Sequence, residues 1–255
     1  MSGRKMYLCA LCRRHVSVTA GTIFQGNKIP LRKWFRAIWL VTNQKNGINA
    51  KELQMNLRLA SYKSAWMVLG KMRKAMVREK EDILSGKVEV DEVYFGKRRS
   101  RQKSRSCEED RNILIMVMVQ FSDVTRHRRI RLLRVDDASA ETLEKVIKKA
   151  VKEKSEIQTD GLGSYKRLEN LGYIHKVIRE RTAVGYDLLP YCNRISVNLK
   201  KWLTDVYRGN VSNEHLDYYL DEFTFRYNHR FSRYGGKLFH SLLWRLANTN
   251  PVNNL

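Results

Sequence analysis

An α/β fold is predicted for this 255-residue chain by the order of its apolar patterns. After Gly86, three β-rich runs (Val88 to Phe95, Asn112 to Phe121, Arg129 to Val135) follow one another closely enough to pair antiparallel. An amphipathic helix comes next, with Leu143, Val146, Ile147, Ala150 and Val151 at i, i+3, i+4, i+7 and i+8. A short β-prone run from Glu156 then ends at Asp160-Gly161. A helix of about Tyr165 to Leu171, a fifth strand of about His175 to Arg179 and further helices complete the order βββαβαβα. That order belongs to an RNase H-like domain, a mixed five-stranded sheet with flanking helices, assigned to residues 86–230.

The elements before and after this domain are smaller. Residues 1–28 carry Cys9-Ala10-Leu11-Cys12, the spacing of half a zinc ribbon. His15 offers a third ligand, and two ordinary thiols fit the same residues. Residues 29–80 read as a helix-turn-helix: Trp34, Ile38 and Val41 fall at helical spacing, Asn49 to Leu59 forms a short second helix, and Ser61 can cap a third. In that third helix Ala65, Val68, Leu69 and Met72 share one face. Lys63, Lys71, Arg73 and Lys74 are expected away from it, as in a helix meeting DNA phosphates; a small helical bundle with a solvated basic face reads the same way. Residues 231–255 are left as a helical tail.

Composition narrows the function. With 43% hydrophobic residues the chain can build a core, which excludes disorder throughout. Its 49 Lys and Arg against 26 Asp and Glu, net charge +23, point to a polyanionic partner, an excess that ribosomal or membrane-surface proteins share. No apolar run reaches membrane-spanning length and no signal peptide opens the chain, so a cytosolic protein without a membrane partner is expected. In that compartment Cys9, Cys12, Cys107 and Cys192 are thiols or metal ligands.

Against this basic background two carboxylates stand out. Asp91 sits inside the β-forming run Val88-Glu89-Val90-Asp91-Glu92-Val93, and Asp160 ends the run Glu156-Ile157-Gln158-Thr159. In an RNase H-like sheet those strands are neighbours, so the two acids can jointly hold Mg²⁺ or Mn²⁺ although 69 positions separate them. Two such ions suit in-line displacement at a phosphodiester. A surface carboxylate paired with an arginine is the plainer reading of Asp91. In the helix from about Asn193 to Arg208, Ile195, Leu199, Trp202 and Val206 cluster on one side, and Asn193, Ser196, Val197 and Lys200 on the other. Asn193 and Lys200, two turns apart, therefore share a face that can look toward metal and DNA backbone, or simply be solvated.

These residues resemble the insertion-sequence transposases of the DDE superfamily with an ISXO-like catalytic domain. Ser17-Val18-Thr19-Ala20-Gly21-Thr22-Ile23-Phe24 is similar to the segment closing that family's zinc ribbon, and Pro30-Leu31-Arg32-Lys33-Trp34-Phe35 to the start of its DNA-binding region. Val88-Glu89-Val90-Asp91-Glu92 resembles the first catalytic strand, and Thr159-Asp160-Gly161 with Gly172-Tyr173-Ile174-His175 the second catalytic segment. Leu216-Asp217-Tyr218-Tyr219-Leu220-Asp221-Glu222-Phe223-Thr224-Phe225-Arg226-Tyr227-Asn228 resembles the C-terminal signature.

The resemblance implies a bacterial transposase that binds the terminal inverted repeats of its element and target DNA, assembles as a homo-oligomer, and cleaves and joins strands with Mg²⁺ or Mn²⁺. Asp91, Asp160 and Asn193 would be metal ligands and Lys200 a phosphate contact. Asn193 and Lys200 match a family variant with Asn in place of the usual acid and Lys on the same helix, while other members carry a Glu where this chain has Ser196. His175 belongs to the motif and is expected to be structural. The family's ribbon has two ligand pairs and this chain begins just before the second, which implies a late start or a truncated gene; Zn²⁺ would bind only where the ribbon is completed. Two other readings are a catalytically inactive or regulatory DNA-binding remnant, and a general nuclease.

Overall fold

The computed structural model describes residues 6–44, 46–77, 82–95, 113–125, 127–179, 188–207, 213–232 and 234–251. The basic run Lys97 to Arg105 and Cys107 lie outside them. In chain order the elements are β1 (Tyr7–Leu8), β2 (His15–Val16), α1 (Leu31–Asn43), α2 (Ala50–Leu57), α3 (Tyr62–Met76), β3 (Lys87–Phe95), β4 (Ile113–Phe121), β5 (Arg129–Val135), α4 (Ala140–Ala150), β6 (Glu156–Thr159), β7 (Ile174–Val177), α5 (Pro190–Tyr207), α6 (Leu216–Asn228) and α7 (Gly235–Ala247). They group into two compact units, Val77–Arg230 and Met1–Met76 with Phe231–Leu255.

The first of these holds a mixed five-stranded sheet in the order β5-β4-β3-β6-β7. β3, β4 and β5 pair antiparallel, as their short connections predict, while β6 runs parallel to both β3 and β7. β4 is apolar almost throughout because both its faces are covered. On one face Val88, Val90, Leu114, Met116, Met118 and Ile157 pack against Leu143 and Ile147 of α4. On the other, Ile115, Val117, Val119, Ile130 and Leu132 meet Cys192, Ile195, Leu199 and Leu203 of α5 and Leu216, Leu220 and Phe223 of α6. Each fully buried Leu or Ile contributes about 2 kcal/mol of transfer free energy.

The helix expected over Tyr165 to Leu171 is instead two 3₁₀ turns, Gly163–Tyr165 and Glu169–Leu171. Tyr165 and Leu168 are buried and Leu171 packs beside them; this three-residue spacing matches a 3₁₀ period. α6 ends on the edge strand. The Asn228 amide accepts from the Ile130 N–H (2.7 Å) and donates to the Ile130 carbonyl (3.0 Å). Six residues earlier, the enclosed Glu222 carboxylate accepts from Arg226 and from the Tyr207 hydroxyl.

In the second unit Asn49 caps α2 by accepting the Glu52 N–H (2.9 Å), and Arg58 reverses the chain in the left-handed region. The Ser61 hydroxyl then accepts the Ser64 N–H at the start of α3. Trp34, Ile38, Leu53, Val68 and Met72 are buried. α7 packs against α1 and α3, and Arg245 donates to the Met76 carbonyl at the end of α3. The residues read from sequence as a C-terminal tail therefore belong to the same compact unit as the N-terminal helices. Among the described residues no helix is long and apolar enough to cross a membrane.

Candidate active site

Alternation along β3 sends Val88 and Val90 to the α4 face and Glu89 and Asp91 to the α5 face. β6 pairs with β3 through Val88↔Ile157 and Glu89↔Gln158; two further residues of the same register bring Asp91 level with Asp160. Ile157 belongs to the α4-side core, so Asp160, three residues on, falls on the Asp91 side. Asp91 is held above the usual carboxylate range, first by burial and further by the charge of Asp160, against a lowering hydrogen bond from the Glu92 N–H. Asp91 is half-buried and Asp160 exposed.

Local turns orient both groups. Asp91 Oδ1 accepts from the Glu92 N–H (2.9 Å), and Asp160 Oδ1 from the Leu162 N–H (3.0 Å). Gly161 has φ +88°, and a Cβ there would lie 2.5 Å from Val177 Cγ1, so only glycine lets the chain leave β6 at this point. Among the described residues neither Asp91 nor Asp160 forms a salt bridge. Mutually repelling carboxylates without a cationic partner, each with an oxygen left over, fit a hard divalent cation.

α5 supplies the third side of the site. Its buried stripe is Cys192, Ile195, Ser196, Leu199 and Leu203. That corrects the expected polar grouping: Ser196 is enclosed, its hydroxyl donating to the Cys192 carbonyl (2.8 Å), whereas Val197 is exposed. Asn193 and Lys200 stand together on one flank of the stripe, Asn193 half-buried and Lys200 exposed. Cys192 donates to the carbonyl of Val117, the residue opposite Asp91 in β4, which sets this turn of α5 over the Asp91 row. Burial, then the charges of Glu89, Asp91 and Glu92, push the Cys192 thiol well above its ordinary value.

Two acids passed over in the sequence reading flank the pair. Glu89 is 3% exposed and accepts from the N–H groups of Tyr191 and Cys192. Burial pushes its carboxyl up, the two backbone bonds pull it down. Glu92 faces α4, and burial followed by Asp91 and Asp160 pushes it up to about 7. The phase of Glu89 with Asp91, two residues apart on one strand, was the available signal.

The other sequence-predicted residues are dispersed. Cys9 and Cys12 sit on the β1–β2 hairpin, where backbone and side-chain hydrogen bonding by Cys12 lowers the Cys9 thiol. Among the described residues no cluster of three or more His, Cys, Asp or Glu side chains has metal-binding geometry. On α3, Lys63 and Lys74 are exposed and Lys71 half-buried, with its ammonium 3.5 Å from Asn27 Oδ1. Arg73 departs from the expected basic face: it is 2% exposed, because the buried side of α3 widens to include Gly70, Ala75 and Met76. His175 bonds through Nε2 to the Thr159 hydroxyl (2.9 Å), a structural contact beside the site.

Residues 83–228, more than half of the chain, match the ISXO2-like transposase domain. The chain belongs to the ISXO2-like transposase family. The matched segment of this transposase spans the whole sheet and both α5 and α6. Over 88 residues it is 30% identical to an uncharacterized protein in transposable element ISH50 of Halobacterium salinarum, covering 34% of this chain and 29% of that protein. Low-level structural similarity is seen to the catalytic core domain of BIV integrase (13% identity, TM-score 0.34, 54% of this chain and 81% of that one). It is also seen to the Mos1 transposase paired-end complex with left transposon end (15% identity, TM-score 0.32, 86% and 81%). At these scores the assignment rests on the family match.

Proposed function

We propose that this transposase binds the ends of its insertion sequence and carries out metal-dependent strand cleavage and strand transfer. The observation that carries the reading is the Asp91–Asp160 pair: two adjacent carboxylates, free of cationic partners among the described residues, on the sheet face that α5 flanks. Asp91, Asp160 and Asn193 would hold Mg²⁺ or Mn²⁺, whose bound form supplies an activated oxygen nucleophile and steadies the leaving oxygen. The chain's own residues do the rest. The Asp91 and Asp160 carboxylates would fix the cation relative to the sheet, and Asn193 would contribute a neutral carbonyl oxygen to it. Lys200, two turns along the same flank, meets a backbone phosphate as a point charge. Lys63 and Lys74 on α3 contribute to holding the inverted repeat, with the net charge of +23 driving association. Two ends must be brought together for transfer, so a homo-oligomer on DNA is part of the proposal.

A second reading, a DNA-binding form without catalysis, is favoured by one observation: the third position is a neutral Asn193 and the neighbouring Ser196 is enclosed. The deciding experiment follows cleavage of a labelled duplex carrying the element's own end, in Mg²⁺ or Mn²⁺, for the parent chain and Asp160→Asn. Cleavage at the end that disappears in the variant supports the transposase reading. End binding with no cleavage by the parent chain sinks it in favour of the non-catalytic form, and cutting without regard to the end sequence points to a general nuclease.

A further inference from the structure

The start of α5 poses a satisfaction problem that its own sequence cannot solve. The first turn of a helix leaves its N–H groups without intrahelical acceptors. Here Pro190 has no N–H, and the Asn193 N–H already reaches the Leu189 carbonyl (3.0 Å). Two donors remain, those of Tyr191 and Cys192. Both are taken by one atom, Oε2 of Glu89, at 2.9 and 3.0 Å across 102 and 103 positions of sequence. A carboxylate is the acceptor best suited to this place, because the exposed peptide dipoles of a helix start carry partial positive charge.

Glu89 lies two residues from Asp91 on the same face of β3, and Cys192 precedes Asn193. The bond pair therefore ties the strand bearing Asp91 to the helix bearing Asn193, two residues from the one and one or two from the other. Arg128 stacks on the other side of this junction, its guanidinium 4.1 Å from the Tyr191 ring. We infer that Glu89 is a positioning residue of the active site: by holding the first turn of α5 it sets Asn193 against the Asp91–Asp160 pair. The inference rests on the metal-site reading above and assigns Glu89 no contact with metal or DNA.

The test is Mn²⁺ binding to the full chain, followed by the loss of free-ion electron paramagnetic resonance signal, together with hydrogen exchange of the Tyr191 and Cys192 amides. Glu89→Ala is expected to weaken Mn²⁺ binding about tenfold, the scale of a lost outer-shell partner, and to unprotect those two amides. Glu89→Gln keeps an acceptor oxygen and should retain most of both properties. In an Asn193→Ala background, Glu89→Ala should add nothing further to the loss of Mn²⁺ binding, since its effect passes through Asn193. Unchanged Mn²⁺ affinity in Glu89→Ala, despite lost amide protection, would reduce Glu89 to a stabilising cap and overturn the proposal. Equal damage by Gln and Ala would also overturn it, by making Glu89 a ligand through its charge. A parent chain whose Mn²⁺ affinity is indifferent to Asp91→Asn fails at the metal site itself, which separates that failure from failure of the Glu89 assignment.

Discussion

The two faces of β3 obey opposite demands. On the α4 side Val88 and Val90 are fully enclosed with Met116 and Ile157, and this stretch of the face excludes water. On the α5 side Glu89 and Asp91 occupy the alternate positions of the same strand, and each is held above the ordinary carboxylate range, chiefly by burial. Over Val88 to Asp91, one face therefore stabilises the fold while the other stores unfavourable charge where chemistry is proposed; past Val90 the α4 face carries charge too, at Glu92. The central strand is one place where both are possible, because alternation keeps them a single residue apart.

That contrast can be broken by substitution. Ile147→Ala empties a site on the apolar face and should lower the free energy of unfolding by about 2–5 kcal/mol, read by denaturant titration. Gly161→Ala, at φ +88° and against Val177, should cost about 1–3 kcal/mol. It should also reduce cleavage, because the turn that carries Asp160 has to move. Asp91→Asn should act in the opposite sense. In metal-free buffer it removes a half-buried charge facing Asp160 and should raise stability on the order of 1 kcal/mol while abolishing cleavage. A destabilised Asp91→Asn would show that the pair is not under electrostatic load.

The smallest expected effect concerns pH. Burial lowers the pKa of His175 from its ordinary 6.5. The unfolded chain then takes up protons before the folded one, so this residue's contribution is present above pH 6.5 and is lost as pH falls through the lowered value. Thermal melts of His175→Gln against the parent should converge on the acid side of that window, and a constant offset at every pH would remove the linkage.

The sheet was legible in sequence because its signals are local: three β-rich runs with short connections, then an amphipathic helix, then Asp160-Gly161. The placement of Asp91 and Asp160 on one face follows from two-residue alternation once the parallel register is known. What escaped were features decided by distant partners. Arg73 reads as surface on α3 alone, yet α7, some 170 positions later, packs against that helix. Ser196 reads as polar, yet its hydroxyl is satisfied within its own helix by Cys192, which lets it enter the core. Glu89 reads as an ordinary strand residue beside Asp91; the N–H groups it accepts, those of Tyr191 and Cys192, lie a hundred residues away.

The pairing of Asn228 with both backbone groups of Ile130 reaches beyond packing. β5 is an edge strand, and an open edge is a template on which another chain can extend the sheet. By presenting an amide that imitates the next strand for one residue, the end of α6 makes that register unavailable to an intruder. The end of the C-terminal signature thus occupies one pairing position on the open edge of the sheet.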